Sequence, residues 1–345
     1  MNVLITGGLG NVGIEVVSLA LKRGLNVFLL TSGSCRRSRK RLKLFEGQVT
    51  YIYGSLTDPE KMREATAGMD YIIHLAAILP PMSEDDKART YAVNLDGTKN
   101  LIDGIIAGGS HARMIFASST TVMGPRHNMA PPALLTDCPN PIDHYTSSKV
   151  AAEKLLASSG IQYATLRLAS VMMGIDGYNL RMVKLIFSFP LEGRNEIVTG
   201  EDTAAALLNS IDVFETDAQR INGQTFFIAG GKRNGCQVTN RQFFTGMLNA
   251  VGIGMLPDSR FTPGCDRYFM DWYDTSKSQK MLNYQNHTLD DCFAYIRNEF
   301  KHTWRLIRLV SPLVRFAMGL LSPYRWQARR EKSAICQDSK IKLNN

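Results

Sequence analysis

The sequence predicts an α/β fold, a doubly wound parallel sheet followed by a smaller C-terminal lobe. Three observations support this prediction. Short apolar runs alternate with longer segments of helical periodicity through the first half of the chain. A turn with glycines at three-residue spacing directly follows the first apolar run. The 345 residues exceed one average domain and leave room for a second lobe.

The opening stretch predicts a dinucleotide site. Asn2–Thr6 is a short apolar run suited to a buried strand, and Ile14–Lys22 has the periodicity of a helix. Gly7, Gly10 and Gly13 lie between them. Glycines allow a sharp turn and a close approach of pyrophosphate, and the N-terminus of a helix favours an anion. This unit is typical of a Rossmann-type NAD(P) site. The alternative is a plain strand-to-helix turn.

The end of the second predicted strand, Asn26–Leu30, bears on the choice of cofactor. A carboxylate at this point would hold the ribose 2′-hydroxyl of NAD, but the sequence has Thr31 and Ser32. A basic run from Arg36 to Arg41 follows, and guanidinium groups favour a 2′-phosphate. The sequence therefore favours NADP over NAD. The alternative is that the basic run is only the solvated start of a helix.

The remaining elements of the first half follow in order. Further strands are predicted at Val49–Tyr53, Met69–Leu75, Ala112–Ser118 and Tyr163–Leu168, and helices after Asp58 and over Thr90–Ile106 and Tyr145–Ser158. Asp58 and Pro59 suit the N-cap and first position of a helix. Loops are predicted over Pro80–Lys87 and Pro125–Asp143. His74 lies within an apolar strand, so we interpret it as a packed core histidine rather than a base.

The pattern loosens beyond Gly174. Helices are predicted at Tyr178–Phe189, Asp202–Ile211, Thr239–Gly252, Asp274–Leu282 and Leu289–Lys301, with strands at Glu196–Thr199 and Thr225–Ala229. We expect residues 1–170 to form the NAD(P)-binding domain, with later strands returning to it near 196–230. Residues 171–303 would form a substrate-binding lobe, and residues 304–345 a basic amphipathic tail.

The tail has more than one interpretation. Trp304–Leu321 is apolar but carries Arg305, Arg308 and Arg315. Residues 304–330 could therefore contact an anionic membrane as a peripheral amphipathic helix. They could equally pack on the protein itself or on a second subunit.

Composition narrows the class of protein. The hydrophobic content of 44 % and charged content of 21 % are ordinary for a soluble globular protein. Six scattered cysteines without a CxxC pair argue against zinc and disulfides and fit a reducing cytoplasm. The first strand leaves no room for a signal peptide, and we expect a cytoplasmic protein. The net charge of +9 suits an anionic cofactor, substrate or membrane surface and does not require nucleic acid.

Three polar residues predict the chemistry. Tyr145 and Lys149 are four residues apart and share a face of the predicted helix. An ammonium beside a phenol favours the phenolate and lowers its pKa from about 10, which suits acid/base work. Ser119 follows a parallel strand at its C-terminal end, where open α/β sheets bind ligands. The pair taken alone could be an ordinary helix surface.

The motifs TGGLGNVG, SSTTVMG and YTSSK occur in one order. With them the chain resembles the extended short-chain dehydrogenase/reductase superfamily, in its NAD(P)-dependent epimerase/dehydratase branch. The resemblance covers roughly Met1 to Phe300 and includes HLAA at His74–Ala77 and YAVNLDGTKNLI at Tyr91–Ile102. It implies a small-molecule substrate and a homodimer.

The resemblance also implies roles for particular residues. Ser119 would be the catalytic hydroxyl, Tyr145 the acid/base, and Lys149 would hold the nicotinamide ribose and lower the pKa of Tyr145. A cofactor site is implied at Gly7, Gly10, Asn11, Val12, Gly13, Thr31, Ser32, Arg36, Ser55, Leu56, Ala76, Ala77, Asn94 and Lys149. Substrate contacts are implied for Ser119, Thr120, Met123 and Tyr145, and no metal site is expected.

Departures from the family pattern limit the chemistry. Thr120 and Thr121 replace the Asp-Glu pair of sugar-nucleotide dehydratases, which disfavours dehydration. Ser170 replaces an asparagine that often meets the substrate diphosphate. A nucleotide-sugar epimerase is still favoured, with diphosphate contacts sought among Arg181, Lys184, Arg194, Arg233, Arg241 and Arg260. The alternative is an NADPH-dependent ketone reductase or hydroxysteroid-type dehydrogenase, and a third hypothesis is a non-catalytic dinucleotide-binding regulator.

Overall fold

The fold is taken from a computed structural model, which describes residues 1–33, 36–109, 111–172, 184–264 and 268–324, the side chains of 36–38 excepted. Within these ranges, no helix is long and apolar enough to cross a membrane.

A parallel sheet of seven strands forms the centre of the molecule. Its strands are β1 (Asn2–Thr6), β2 (Asn26–Thr31), β3 (Thr50–Tyr53), β4 (Tyr71–His74), β5 (Arg113–Ser119), β6 (Tyr163–Leu168) and β9 (Gln224–Ile228). Their order is β3-β2-β1-β4-β5-β6-β9, and each adjacent pair is parallel. The predicted doubly wound sheet is confirmed. Its last strand, β9, comes from the second half of the chain.

A second, small sheet lies in the C-terminal half. It contains β7 (Ser170–Val171), β8 (Arg194–Val198) and β10 (Gln237–Thr239) in the order β10-β8-β7. The predicted strand at Glu196–Thr199 therefore belongs to this small sheet.

Helices flank both sheets. They are α1 (Asn11–Lys22), α2 (Arg36–Leu42), α3 (Pro59–Thr66), α4 (Met82–Asp85), α5 (Lys87–Tyr91), α6 (Gly97–Ala107), α7 (His144–Ala157), α8 (Gly200–Ile221), α9 (Asn240–Val251), α10 (Ser276–Leu282), α11 (Leu289–Glu299) and α12 (Trp304–Leu321). A π-helical segment, Ala92–Asp96, joins α5 to α6. The predicted cap of α3 is confirmed, because the Asp58 carboxylate accepts a hydrogen bond from the Lys61 backbone amide at 3.1 Å.

Two predictions outside the sheet differ from the structure. The predicted loop over Pro80–Lys87 is wrong, because this stretch contains α4 and the start of α5. Asp86 caps α5 by accepting from the backbone amide of Arg89 at 2.9 Å, a local signal in a short segment. Most of the predicted helix Tyr178–Phe189 lies outside the described residues, and Ile186–Ser188 within it is a 3₁₀ turn.

The core around the seven-stranded sheet has two layers, because the strands present alternate side chains to opposite faces of the sheet. Val3 and Ile5 of β1 pack in a cluster with Val17 of α1 and Leu207 of α8. Leu4, between them, packs on the other face in a cluster that includes Met62, Leu101 and Leu156. The sheet is therefore buried on both faces, which explains the continuous apolar runs in its strands.

The glycine turn between β1 and α1 is a close backbone contact. A Cβ at Gly13 would lie 2.2 Å from the Gly7 carbonyl oxygen and 2.6 Å from the Gly8 Cα. Gly7 has φ of +71°, and its Cβ would lie 2.7 Å from the backbone nitrogen of Ala76. The turn thus requires glycine for space at Gly13, and for both space and conformation at Gly7.

We expect Gly13→Ala to lower the free energy of unfolding by about 1–3 kcal/mol, because the added methyl group meets rigid backbone on two sides. Urea denaturation measures the change. Gly264→Ala is the matched control, since a Cβ there lies at an ordinary 3.9 Å from the Thr262 hydroxyl. Equal stability of the two variants would contradict the close contact.

Candidate active site

The sheet brings the functional segments to one edge. The C-terminal ends of β1, β4 and β5 are neighbours, since Thr6 pairs with His74 and His74 with Phe116. The hydroxyl of Thr6 accepts a hydrogen bond from the backbone amide of Ala76 at 3.2 Å. The glycine turn after β1, the Ala76-Ala77 segment after β4 and Ser119 at the end of β5 therefore lie side by side.

Ser119, Tyr145 and Lys149 converge at this edge. The phenol of Tyr145 lies near the Ser119 hydroxyl, which lowers the pKa of that phenol. Lys149 lies one turn further along α7 and donates to the Ala117 carbonyl of β5 at 2.7 Å. Its ammonium also lies 4.6 Å from the centre of the Phe116 ring. The structure thus brings the three predicted catalytic residues together, with Tyr145 8 % and Lys149 2 % exposed.

Burial dominates the electrostatics of this group. It lowers the pKa of Lys149 to about 8, and the charge of Glu153 acts in the opposite direction. Burial also raises the pKa of Tyr145 above its ordinary value, and the Ser119 hydroxyl acts in the opposite direction. The expectation that Lys149 lowers the pKa of Tyr145 stays a prediction.

Asn94 stands behind the site in the π-helical segment. Its side-chain oxygen accepts from the Ile78 backbone amide at 2.7 Å, and its amide group donates to the Ile78 carbonyl at 3.0 Å and the Ser148 hydroxyl at 3.1 Å. Asn94 is 1 % exposed. The side chain therefore joins the loop after β4 to α7 between Tyr145 and Lys149. Asn94 thus positions these two segments, and its expected contact with the cofactor stays a prediction.

His74 is a core histidine, as the sequence predicted. One ring nitrogen lies 2.6 Å from the Thr6 hydroxyl and the other 3.0 Å from the Thr98 hydroxyl. Burial, and then the charge of Lys149, lower the pKa of His74 to about 3. The neutral ring links β1, β4 and α6 below the active site.

The glycine turn carries an arginine that the expected site did not include. The Arg41 guanidinium donates to the Leu9 carbonyl at 3.0 Å and to the Asn11 side-chain oxygen at 3.1 Å. It lines a cavity of about 500 Å³ together with Val12, Lys40 and Thr199. The basic run gave a signal for a cation here, but its spacing did not show which residue reaches the turn.

The other predicted cofactor residues lie along the same edge. Thr31 ends β2 and accepts from the Gly33 amide at 3.2 Å, and Ser32 is exposed beside it. After β3, the Ser55 hydroxyl lies 2.8 Å from that of Thr57, and Leu56 packs under α6 near Gly97. The side chain of Arg36 is outside the described residues.

Two of the four predicted substrate contacts are turned into the protein. Met123 is 2 % exposed, and its sulfur accepts from the Arg167 guanidinium at 3.4 Å. Thr120 is equally buried, and its hydroxyl lowers the pKa of the neighbouring Tyr273. Thr121 is the residue that faces Ser119, with 2.8 Å between the two hydroxyl oxygens. The 3₁₀ turn after β5 causes this arrangement, because it rotates successive side chains by about a third of a turn.

Sequence reasoning also missed two supports of α7. Glu153, one turn beyond Lys149, accepts from Arg167 at 2.7 Å and from the Ser118 hydroxyl at 2.5 Å. At the other end, Glu84 of α4 accepts from the backbone amides of His144 and Tyr145 at 3.3 and 3.4 Å. The four-residue spacing of Lys149 and Glu153 is a signal that could have indicated the support by Glu153. The support by Glu84 depends on a contact between segments that are distant in sequence, so it has no local signal.

This fold and site define a dinucleotide-binding protein with a serine–tyrosine–lysine group at the sheet edge. Residues 3–181, more than half of the chain, match the NAD dependent epimerase/dehydratase family. The chain belongs to this family, and the resemblance expected from its motifs is confirmed.

Two curated relatives match parts of this chain. A 3-beta-hydroxysteroid dehydrogenase of Mycolicibacterium neoaurum is 29 % identical over 67 % of this chain and 66 % of its own length. A D-erythronate dehydrogenase of Cupriavidus necator is 32 % identical over 46 % of this chain and 50 % of its own. The matches thus span half to two thirds of these relatives.

Solved structures share the fold over most of the chain. The UDP-glucose 4-epimerase of Thermotoga maritima with UDP-glucose superposes with a TM-score of 0.71 at 21 % identity, over 88 % of this chain and 99 % of its own. The dTDP-glucose 4,6-dehydratase DesIV of Streptomyces venezuelae gives 0.72 at 19 % identity, over 89 % and 98 %. At these identities the likeness is one of fold.

The buried ammonium predicts a pH effect on stability. Folding lowers the pKa of Lys149 from 10.5 to about 8, so the unfolded chain binds more protons between these values. Stability should therefore rise with pH across this window, relative to Lys149→Met, by about 3 kcal/mol. Below pH 8 the difference between wild type and variant should be constant.

Urea denaturation of both proteins from pH 7 to 10.5 measures this difference. Lys154→Met, at an exposed position on the same helix, is the control and should run parallel to the wild type. A pH-independent difference for Lys149→Met would show that the ammonium is solvated in the folded protein.

Proposed function

We propose that the protein is an NAD(P)-dependent oxidoreductase that acts at a carbinol or carbonyl carbon. The observation that carries this proposal is the placement of Ser119 near the buried Tyr145, with Lys149 buried one turn further along the same helix and bonded to the Ala117 carbonyl. In the proposed mechanism, Ser119 holds the substrate oxygen, and Tyr145 gives or takes the proton of that oxygen. Because the phenol is protonated at neutral pH, it is ready to act as the acid in reduction.

The glycine turn fits a dinucleotide. Gly10 at the N-cap of α1 has no side chain, so it does not compete with an anion for the first amides of the helix. The close contacts of Gly7 and Gly13 keep side chains off this surface. When bound, the nicotinamide would supply or accept the hydride. Lys149 would hold its ribose and provide positive charge beside Tyr145.

We infer that the substrate is an alcohol or ketone without a diphosphate, as for a hydroxysteroid-type dehydrogenase. Three of the cations considered for a diphosphate already have partners. Arg194 pairs with Asp271, Arg241 with Glu192 and Asp258, and Arg260 donates to the Gly319 carbonyl. Ser170 is likewise occupied, since it donates to Asn195 at 2.7 Å. The hydroxysteroid dehydrogenase among the relatives supports the same substrate class.

The second candidate is a nucleotide-sugar epimerase, which the likeness of fold to UDP-glucose 4-epimerase favours. Cofactor turnover separates the candidates. A dehydrogenase consumes or forms NAD(P)H stoichiometrically with hydroxysteroids or ketones, whereas an epimerase interconverts UDP-sugars without net change in the cofactor. Dehydration is disfavoured, since neither Thr120 nor Thr121 has an acidic group, and the Thr121 hydroxyl is hydrogen-bonded to that of Ser119.

We expect Tyr145→Phe to lower kcat by about 10²-fold or more, because the substrate oxygen loses its proton donor. NAD(P)H absorbance with a ketosteroid or hydroxysteroid substrate measures the rate. Tyr163→Phe is the matched control, since Tyr163 begins β6 at the opposite end of its strand from the site. Near wild-type turnover of the folded Tyr145→Phe variant would refute the mechanism.

We also propose that NADP is preferred and that Arg41 contributes to this preference from its place on the glycine turn. Arg41→Gln should weaken NADPH binding by roughly tenfold, the loss of one charge-assisted contact, and change NADH binding less. Fluorescence titration with both nucleotides measures this. Arg63→Gln, on the exposed side of α3, is the control. Tighter binding of NADH than NADPH by the wild type would contradict the preference.

A further inference from the structure

Helix α12 has an exposed apolar face. Five large side chains lie on it at helical spacing, and each is between 47 and 78 % exposed: Leu306, Leu309, Leu313, Phe316 and Leu320. We call these five residues the leucine face. Single exposed leucines are common on protein surfaces, but a continuous apolar strip of this length marks a contact site.

The opposite face of α12 packs on the C-terminal lobe. Met318 and Leu321 join a cluster that includes Phe244, Leu248 and Phe261. The Trp304 indole donates to the Asn249 carbonyl at 3.4 Å, and Arg260 to that of Gly319 at 3.4 Å. One face of the helix thus anchors it to the protein, and the anchor directs the leucine face outward.

The segment that contains the leucine face carries charges of one sign. Residues 301–330 contain seven lysines and arginines and no aspartate or glutamate. Arg305 and Arg308 are exposed on one flank of the helix, and the Arg308 guanidinium lies 5.1 Å from the Trp304 ring. An apolar strip with a cationic border is complementary to a surface that is apolar inside and anionic outside.

This charge pattern selects among the possible occupants. A second copy of α12 would bring the same cations against one another, and the segment has no carboxylate to compensate them. Anionic lipid provides both acyl chains for the leucines and phosphates for the arginines.

We propose that α12 docks the protein on an anionic membrane surface. The helix lies in the plane of the interface, with the leucine face among the acyl chains and Arg305 and Arg308 at the headgroups. The docking does not depend on the enzymatic activity, and it places the C-terminal lobe next to the bilayer.

Vesicle flotation with the full-length protein tests this proposal. The vesicles contain phosphatidylcholine alone or a 70:30 mixture with phosphatidylglycerol, the latter about 30 % anionic. We expect binding to the mixed vesicles, at least about tenfold tighter than to the neutral ones. Leu309→Glu/Leu313→Glu should reduce binding to the mixed vesicles about tenfold or more. Arg305→Gln/Arg308→Gln should reduce it by about tenfold on the mixed vesicles only.

Ile106→Glu is the matched control, because it changes an exposed apolar residue at the end of α6 and should float like the wild type. Circular dichroism and thermal unfolding confirm that each variant is folded. Failure of the wild type to float with mixed vesicles would overturn the proposal, as would equal flotation of Leu309→Glu/Leu313→Glu. A lipid-free dimer that this variant converts to monomers, without flotation of the wild type, would identify a second copy as the occupant.

Discussion

The close contact between the glycine turn and the end of β4 is the constraint on which the site depends. The Gly7 backbone approaches Ala76 so closely that no Cβ fits between them. The Thr6 hydroxyl bridges the same two strands through His74 and the Ala76 amide. These contacts fix how far the first helix N-terminus lies from the neighbouring strand ends. The spacing between an anion at α1 and a reacting group at β5 follows from them.

A second constraint is the burial of charge behind the reacting groups. Lys149 is buried on one turn of α7, and on the next turn Glu153 pairs with Arg167. Breaking a buried pair of this kind leaves an uncompensated charge, which is costly. The paired carboxylate opposes the desolvation of Lys149 and favours its charged form. The same helix thus carries the reacting phenol, the ammonium and the group that supports the ammonium.

The sheet was predictable from sequence because its strands are buried on both faces. Asn2–Thr6 and Tyr163–Leu168 have the predicted bounds, and Trp304–Leu321 was equally clear from its length and periodicity. The convergence of Ser119, Tyr145 and Lys149 was also predictable, because strand ends and helical spacing determine it. Met123 was not, since a 3₁₀ turn and the contact with Arg167 decide its direction. Nor was Glu84, which reaches Tyr145 from a helix 61 residues earlier.

The direction of each pKa shift at the site determines which of Tyr145, Lys149 and His74 carries a charge before the reaction. Burial favours the neutral form of each group, so the protein holds Tyr145 as a phenol and lowers the pKa of Lys149 to about 8. His74 is held neutral as well and supplies no competing charge. A substrate oxygen that gains negative charge during reduction would reverse this balance, because it strengthens the attraction to Lys149 and to the phenolic proton. Catalytic stabilisation would therefore appear where charge develops and not in the resting site, which is the condition for accelerating the chemical step.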